Sequence, residues 1–483
     1  MHQRAALHRA PRKPRARLRR ARTVRGALGV TLLGAVLPGA GLLWTGRLVG
    51  YLLLVPTFGG AVYALAAFRD WHALVELATD PAQLRSMAVF LGLGLGVWTV
   101  NVLATYWWAR PRRASRLPAT AGAVIAVLAC TAAALPVVHT MRIATVQADL
   151  VETLFTENQT ATSPRGINEE DPWGGRDRVS ILLLGGDGSV TREGIRTDSV
   201  MLLVLNTRTG RSVMFSLPRN MMYAEFPDDS PLHDVFPDGF TTDGDPSSGM
   251  LNAIYGLLPA RYPGILGDSD NEGADALKQA VAGSLGVEVD YYVLVNLLGF
   301  QQVVDAMGGV TVNVNEPVAI NGDTDAGIPP TGYIEPGPDQ HLDGFHALWF
   351  SRGRWGSDDY ERMLRQRCMI GALIDAADPV TLVRRYLDLA KAGKEIVRTD
   401  IPRSVLPALV NLGLKVKEHR VRSIAFVSSD RFFSGDPDYD WMHESVQRAL
   451  ASLDGKRPPR PPDADDPGEA VDVKNSCAYH PVS

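Results

Sequence analysis

Cysteine is scarce in this 483-residue sequence: Cys130, Cys368 and Cys477 are too few for a disulfide-dense scaffold. The histidines show no zinc-ligand spacing. The acidic loops Asp243-Gly-Asp245 and Asp323-Thr-Asp325 lack calcium-loop spacing and read as solvated turns. Glycine (46) and proline (32) are too few and too aperiodic for a collagen-like or low-complexity chain, and a 46% hydrophobic fraction excludes wholesale disorder. Charge of neither sign dominates, with 49 basic against 53 acidic side chains, which argues against a protein that coats nucleic acid. The length allows roughly two to four domains.

The even balance hides an uneven distribution. Acidic residues are absent from Arg4 to Arg25, where Arg9, Arg12, Lys13, Arg15, Arg17, Arg19, Arg20 and Arg22 crowd together. Such a tail (1–25) reads as solvated disorder, a nucleic-acid arm or the cytoplasmic flank of a membrane segment. The apolar runs beyond it decide for the membrane. Leu28 to Phe68 is apolar apart from Arg47, and Met87–Trp108 and Ala119–Met141 are long apolar runs broken only by Asn101. About 20 such residues cross ~30 Å of hydrocarbon as a helix. The apolar region is too long and too repetitive for a cleaved signal peptide, so 26–141 reads as a helical transmembrane domain in a cell membrane.

Lys/Arg bias sets the expected topology. The tail and the cluster Arg110, Arg112, Arg113, Arg116 belong inside, while the loop from Asp70 to Arg85 belongs outside. The stretch from Leu37 to Arg47, broken by Pro38, Gly39, Gly41 and Gly46, reads as a re-entrant or interfacial hairpin. Crossings at 48–68, 86–108 and 119–141 then leave everything after Arg142 outside; a fourth crossing would reverse that.

Residues 142–178 read as a linker and 179–455 as a folded extracytoplasmic domain. Val179–Leu184, Ser199–Leu205, Arg211–Ser216, Tyr291–Val295, Val310–Val314 and Val421–Val427 are expected strands. Helical patterns cover Ala274–Leu285, Leu298–Met307, Phe345–Ser351, Asp358–Ala377, Val380–Ala390, Val405–Val416 and Trp441–Leu453. Alternating strands and helices predict an α/β layered domain. The Pro- and Asp-rich tail, 456–483, is expected to be disordered.

Polar residues gather at the expected strand ends: Asp187 after the first, Arg196-Thr-Asp198-Ser199 before the second, and Ser216-Leu-Pro-Arg219-Asn220 after the third. Loops beyond strand ends are where open α/β sheets collect ligands. Carboxylates with guanidinium groups suit a divalent cation on an anionic ester, or ordinary ion pairing. A second cluster runs from His341 to Arg354 and on from Asp358 to Arg367. It places Arg352, Arg354, Arg362, Arg365 and Arg367 within sixteen positions. Asp358 and Arg362 are i,i+4 neighbours on a helix, and Arg362 and Arg365 are i,i+3 neighbours. This reads equally as a phosphate cradle and as a solvated helix neutralised by Asp358, Asp359 and Glu361.

In their order these segments resemble the LytR-CpsA-Psr family of cell-envelope glycopolymer ligases. The resemblance rests on Leu-Gly-Gly-Asp187, Arg196-Thr-Asp198-Ser, Ser-Leu-Pro-Arg219 and Asp290-Tyr-Tyr-Val-Leu-Val-Asn. It continues through Met307-Gly-Gly-Val-Thr-Val, His341-Leu-Asp-Gly, Arg352-Gly-Arg354 and Asp359-Tyr-Glu-Arg-Met-Leu-Arg-Gln-Arg367. It implies an αβα domain with a central mixed sheet and a phosphotransferase activity. The enzyme would move a polymer such as arabinogalactan or a teichoic-acid-like chain from a polyprenyl-pyrophosphate carrier in the bilayer to peptidoglycan, releasing polyprenyl phosphate. By motif, Asp187 and Asp198 match metal carboxylates for Mg²⁺ (or Mn²⁺). Arg196, Arg219, Arg352, Arg354, Arg362 and Arg365, with Gln366, match pyrophosphate-binding groups. Asp198 with Arg196, Arg219, Arg352 and Arg354 would be catalytic, Asp198 as the candidate base. Asn220 stands where Asp is common and Met250 where Lys is often found. A prenyl chain would need an apolar tunnel between sheet and helix. Cys368 and Cys477, both in an oxidising compartment, are candidates for a disulfide. Rival readings are a transcriptional attenuator, a lipid-pyrophosphate phosphohydrolase and a glycan-binding module.

Overall fold

The computed structural model describes residues 18–67, 69, 71–113, 115–155, 160–186, 196–322, 327–377, 397–456 and 467–480. Asp187, the Asp323-Thr-Asp325 loop, the expected helix at 380–390 and most of the basic tail lie outside them. The chain divides into two compact units, Met1–Ala148 and Asp149–Ser483.

In the first unit, α1 (Val24–Val36) opens on Thr23, whose hydroxyl accepts from the Gly26 amide. The chain turns back at Gly39 into α2 (Ala40–Trp44). Gly39 has φ 91°, and a Cβ there would lie 2.0 Å from the Gly50 carbonyl oxygen, so only glycine fits. There follow α3 (Gly50–Ala67), α4 (Trp71–Thr79), α5 (Pro81–Ala109) and α6 (Arg116–Leu154). Asp80 caps α5, accepting from the Ala82 and Gln83 amides ahead of Pro81. Asn101 is buried because it serves the hairpin: its Nδ2 donates to Gly34 O at 2.9 Å and its Oδ1 accepts from Gly39 N at 3.3 Å. Helices thus occupy all three expected crossings. Among the described residues α5 and α6 are long and apolar enough to span a membrane, while the apolar part of α3, Gly50–Val62, is shorter.

In the second unit the strands are β1 (Arg178–Gly186), β2 (Thr197–Asn206), β3 (Ser212–Leu217), β4 (Tyr291–Asn296), β5 (Val310–Val314), β6 (Val318–Ile320), β7 (Gly332–Ile334), β8 (Gly337–Leu342), β9 (Val397–Thr399), β10 (Val421–Ala425) and β11 (Val471–Asp472). Seven form a mixed sheet in the order β11-β10-β3-β2-β1-β4-β9; β5 pairs with β8 and β6 with β7. β1 runs antiparallel to β2 and parallel to β4, and β3 runs parallel to β10. The helices are α7 (Pro231–Val235), α8 (Leu251–Arg261), α9 (Glu272–Leu285), α10 (Leu297–Met307), α11 (Gly344–Arg352), α12 (Asp359–Ala376), α13 (Leu406–Lys417), α14 (Tyr439–Leu453) and α15 (Val473–Ser476).

The central strands are apolar at nearly every position because both faces are covered. Leu182, Leu184, Leu202, Val204 and Phe215 face α8, α9 and α14. The alternate residues Ile181, Leu183, Met201, Leu203 and Met214 face α12, α13 and α15. The result is an αβα layered domain, as expected.

Two expectations are corrected. The segment 142–178 is not a free linker, because α6 continues to Leu154 and polar residues beyond it are held by the domain. The Thr160 hydroxyl donates to Asp275 Oδ1 at 3.2 Å, and Arg176 pairs with Asp290. Nor is the tail disordered over 467–480. There β11 extends the sheet on β10, Val473 is buried against Met201 and Met214, and Cys477 is bonded to Cys368 of α12. Asn313 Nδ2 donates to Cys477 O at 2.9 Å, and Asn315 Nδ2 to Ala478 O at 3.2 Å. A polar, Pro-rich composition signals disorder only where the chain lacks partners, and this end has them.

The disulfide closes a separation of 109 residues. Replacing both cysteines (Cys368→Ser with Cys477→Ser) is expected to destabilise the protein by about 2–5 kcal/mol, read as a lower urea midpoint that reductant no longer shifts.

Candidate active site

A cavity of about 220 Å³ opens between the sheet and α10, α11 and α12. Its walls are apolar: Leu183, Met201, Val293 and Val295 from the strands, Phe300 from α10, and Met369, Ile370 and Leu373 from α12. Its mouth is polar, lined by Asp198, Ser199, Asn296, Ser351, Arg352, Arg354, Arg362 and Gln366. This gradient follows from helix geometry. Along α12, Arg362, Gln366, Met369 and Leu373 recur at three- and four-residue steps on one face, so one helix carries both mouth and wall.

At the mouth, charges from four segments interlock. Arg219, just past β3, donates through Nη1 to Asp198 Oδ1 at 2.6 Å and through Nε to Asp359 Oδ2 at 3.0 Å. Asp359 Oδ1 lies 3.3 Å from Arg362 Nη1 and 3.6 Å from Arg354 Nη1. Arg362 Nη2 also donates to the Asp198 carbonyl at 3.3 Å. Burial raises the Asp359 carboxyl, but Arg362, Arg219 and Arg354 outweigh it and hold the group below its usual range. Burial lowers Arg362 to about 10 against the pull of Asp359, so it stays charged at neutral pH. Burial also disfavours the Arg219 cation, but Asp198 and Asp359 more than offset it and raise its value.

Asp359 was not among the predicted site residues, although its signal was present: a carboxylate in the first turn of a helix, three residues before an arginine. The expected Asp358–Arg362 neighbours differ in role. Asp358 is the N-cap, accepting from the Glu361 amide at 2.8 Å, and the ion pair to Arg362 comes from Asp359.

The remaining predicted residues separate. Arg352 reaches the mouth with its guanidinium 5.4 Å from the Trp349 ring centre. Gly353, between Arg352 and Arg354, packs so close to β6 that a Cβ would sit 2.5 Å from Ala319 O. Gln366 Nε2 donates to Ser351 O at 3.1 Å. Arg365, grouped by resemblance with the pyrophosphate ligands, does not line the cavity. Its Nε donates to Phe350 O at 2.9 Å and its Nη2 to Gly353 O and Ser357 Oγ. It binds the exposed carbonyl end of α11, where a cation is favoured, and so fixes the turn that presents Arg352 and Arg354. Arg196 is exposed and is not part of the cavity lining.

The donor set at the mouth suits a hard cation only in part. Among the described residues no group of three or more His, Cys, Asp or Glu could hold a metal ion. Asp198 and Asp359 nonetheless share one guanidinium, and buried Asp359 Oδ1 has no hydrogen-bond partner, although it is ion-paired with Arg362 and Arg354. The buried Asn220 Oδ1 also lacks a partner. Met250 precedes α8 without a side-chain cap.

Asp359→Asn leaves the surrounding guanidiniums underbalanced and is expected to cost about 2 kcal/mol at pH 7. Because the folded carboxyl is held low, the parent's advantage is full above the ordinary value of about 3.9 and is lost as pH falls through the lower folded value. Urea midpoints of parent and variant should therefore differ at pH 7 and draw together as the pH falls below about 3.9, the gap closing only once the pH passes beneath the lowered folded value.

The polyisoprenyl-teichoic acid–peptidoglycan teichoic acid transferase TagU of Bacillus mycoides (strain KBAB4) is 30% identical over 225 residues, 46% of this chain and 60% of that protein. Biofilm regulatory protein A of Streptococcus mutans is 28% identical over 277 residues, 55% of this chain and 59% of its own length. The chain therefore spans about 60% of the length of these curated relatives. Among solved structures, Bacillus subtilis TagV matches at 23% identity and a TM-score of 0.41, covering 58% of this chain and 99% of that one. TagT bound to LIIa-WTA matches at 21% and 0.38, covering 62% and 97%. The model of the LytR_cpsA_psr family matches residues 142–454, well over half of the chain, and the protein belongs to that family.

Proposed function

We propose that this protein is a membrane-anchored, extracytoplasmic phosphotransferase. It would take a wall glycopolymer carried on a polyprenyl pyrophosphate and join it, through one phosphate, to a peptidoglycan hydroxyl. The observation that carries this reading is the juxtaposition at one cavity: a guanidinium-rich mouth opening onto apolar walls. A lipid pyrophosphate has the complementary form, a doubly charged head on a hydrocarbon chain.

The chemistry follows from that fit. A pyrophosphate repels an incoming oxygen, so its charge must be neutralised before attack. Arg352, Arg354 and Arg362 supply fixed positive charge at the mouth, where a low-dielectric wall strengthens each interaction. The acceptor hydroxyl attacks the polymer-bearing phosphorus in line. The bond to the bridging oxygen breaks, and polyprenyl phosphate leaves with the electron pair. Asp198, which lines the mouth and accepts from Arg219, would receive the hydroxyl proton. Arg219 holds Asp198 and Asp359 in register, and Arg365 holds the turn bearing Arg352 and Arg354. Asp198 and Asp359 would hold a magnesium or manganese ion, with Asp187 as a further carboxylate from outside the described residues. When bound, that ion adds charge neutralisation and polarises a phosphoryl oxygen.

Membrane anchoring is supported by α5 and α6, and the basic flanks favour three crossings with the domain outside. The activity for which the TagU relative is named supports a peptidoglycan acceptor and a polyisoprenyl-linked donor. The regulatory reading is favoured by the name of the streptococcal relative and by no observation at the site.

In cells lacking related proteins, Arg352→Ala and Arg354→Ala should each lower attachment of radiolabelled wall polymer to peptidoglycan by about 100-fold. Undiminished attachment contradicts the proposal, and label released free into water favours a phosphohydrolase. Arg365→Ala should lower attachment and also the melting temperature, because its partners are backbone carbonyls.

A further inference from the structure

The end of the sheet remote from the cavity has a second hollow. The cavity takes Asp198, Ser199 and Met201 from the start of β2, whereas Ser212 at the start of β3 is registered with Leu205 at the end of β2. Ser212 is also registered with Val421, where parallel β10 begins. Here a pocket of about 360 Å³ is lined by Arg211, Ser212, His419, Arg420, Arg422 and Asp472 among others.

The charges in this pocket do not cancel. Arg420 Nη1 pairs with Asp472 Oδ2 at 3.0 Å. Arg422 is held by neutral groups, donating through Nη1 to Ser452 Oγ at 2.7 Å and through Nη2 to Ala470 O. The Arg211 guanidinium has no carboxylate within ion-pair distance among the described residues. Three guanidiniums therefore face one carboxylate. Ser212 is 3% exposed, yet its buried hydroxyl has no hydrogen-bond partner. A buried hydroxyl without a partner calls for a ligand or an ordered water.

A tetrahedral oxyanion matches this set better than a planar carboxylate. Its oxygens accept from several directions at once, whereas the donors here come from two strands and the chain before them. We propose that this pocket binds a phosphate or phosphodiester group at a site separate from the cavity mouth. The site stands independently of the transfer reaction, because none of its residues lines the cavity.

The test uses full-length protein in detergent micelles with Arg352→Ala and Arg354→Ala already in place, so that the cavity mouth does not compete for the ligand. Calorimetric titration at low salt with inorganic phosphate, and with a glycerol-phosphate oligomer at equal phosphate concentration, should show saturable binding. Adding Arg211→Gln and Arg420→Gln, both at exposed side chains, should weaken it about tenfold or more, with an unchanged melting temperature. Ser212→Ala should weaken it about threefold. Tighter binding of the oligomer identifies a polymer as the source, and equal binding per phosphate identifies the free ion; either supports the site. Two results overturn it: no saturable binding in the parent, or equal affinity in the glutamine variants.

Discussion

One carboxylate organises the mouth of the cavity. Arg219, Arg354 and Arg362 all lie within 3.6 Å of Asp359, and without it they would repel one another across a partly dehydrated surface. Asp359 does not cancel their charge. It leaves a net positive field aimed at a pocket whose inner walls are hydrocarbon, and it ties α12 to the end of β3 through Arg219. Asp198 is tied to the same guanidinium. Removing the central acid would therefore release Arg219, Arg354 and Arg362 from their shared partner.

Holding that arrangement requires that α11 and α12 not slide. Arg365 fixes the C-terminal carbonyls of α11 from α12. From behind, the C-terminal segment presses on α12: Val473 fills the space beside Gly371, where a Cβ would meet it at 3.2 Å, and the Cys368–Cys477 bond secures the contact. Val473 also packs against Met201, which lines the cavity, so the segment backs one of its walls. Packing behind the site and electrostatics at its mouth thus meet on a single helix.

Much of this was legible in the sequence. Short apolar runs bounded by glycine or turn residues mark β1 through β5 to within two residues or so, because burial on both faces leaves little choice of composition. The gathering of Asp198, Arg219, Arg352, Arg354, Arg362 and Gln366 follows from motif order, which composition alone could not provide. The ordered C-terminal segment was not legible, since Asn313 and Asn315, which hold it, are far away in sequence and ordinary in kind. Arg365 illustrates the harder limit. Its neighbours Arg362 and Gln366 reach the mouth, yet one step around the helix its side chain meets carbonyls, and spacing does not reveal what lies opposite. α8 was missed because Pro259 and a weak periodicity conceal it.

The central claim is that the cavity receives the isoprenoid while the arginines receive its pyrophosphate. A prenyl pyrophosphate carrying a photoreactive diazirine on its chain tests this directly, with adducts mapped by mass spectrometry. The account predicts labelling on Met201, Phe300, Met369 or Leu373, competed by unlabelled prenyl pyrophosphate and lost in Arg352→Ala. Adducts confined to other surfaces, or labelling indifferent to competitor and to the arginine, would contradict it.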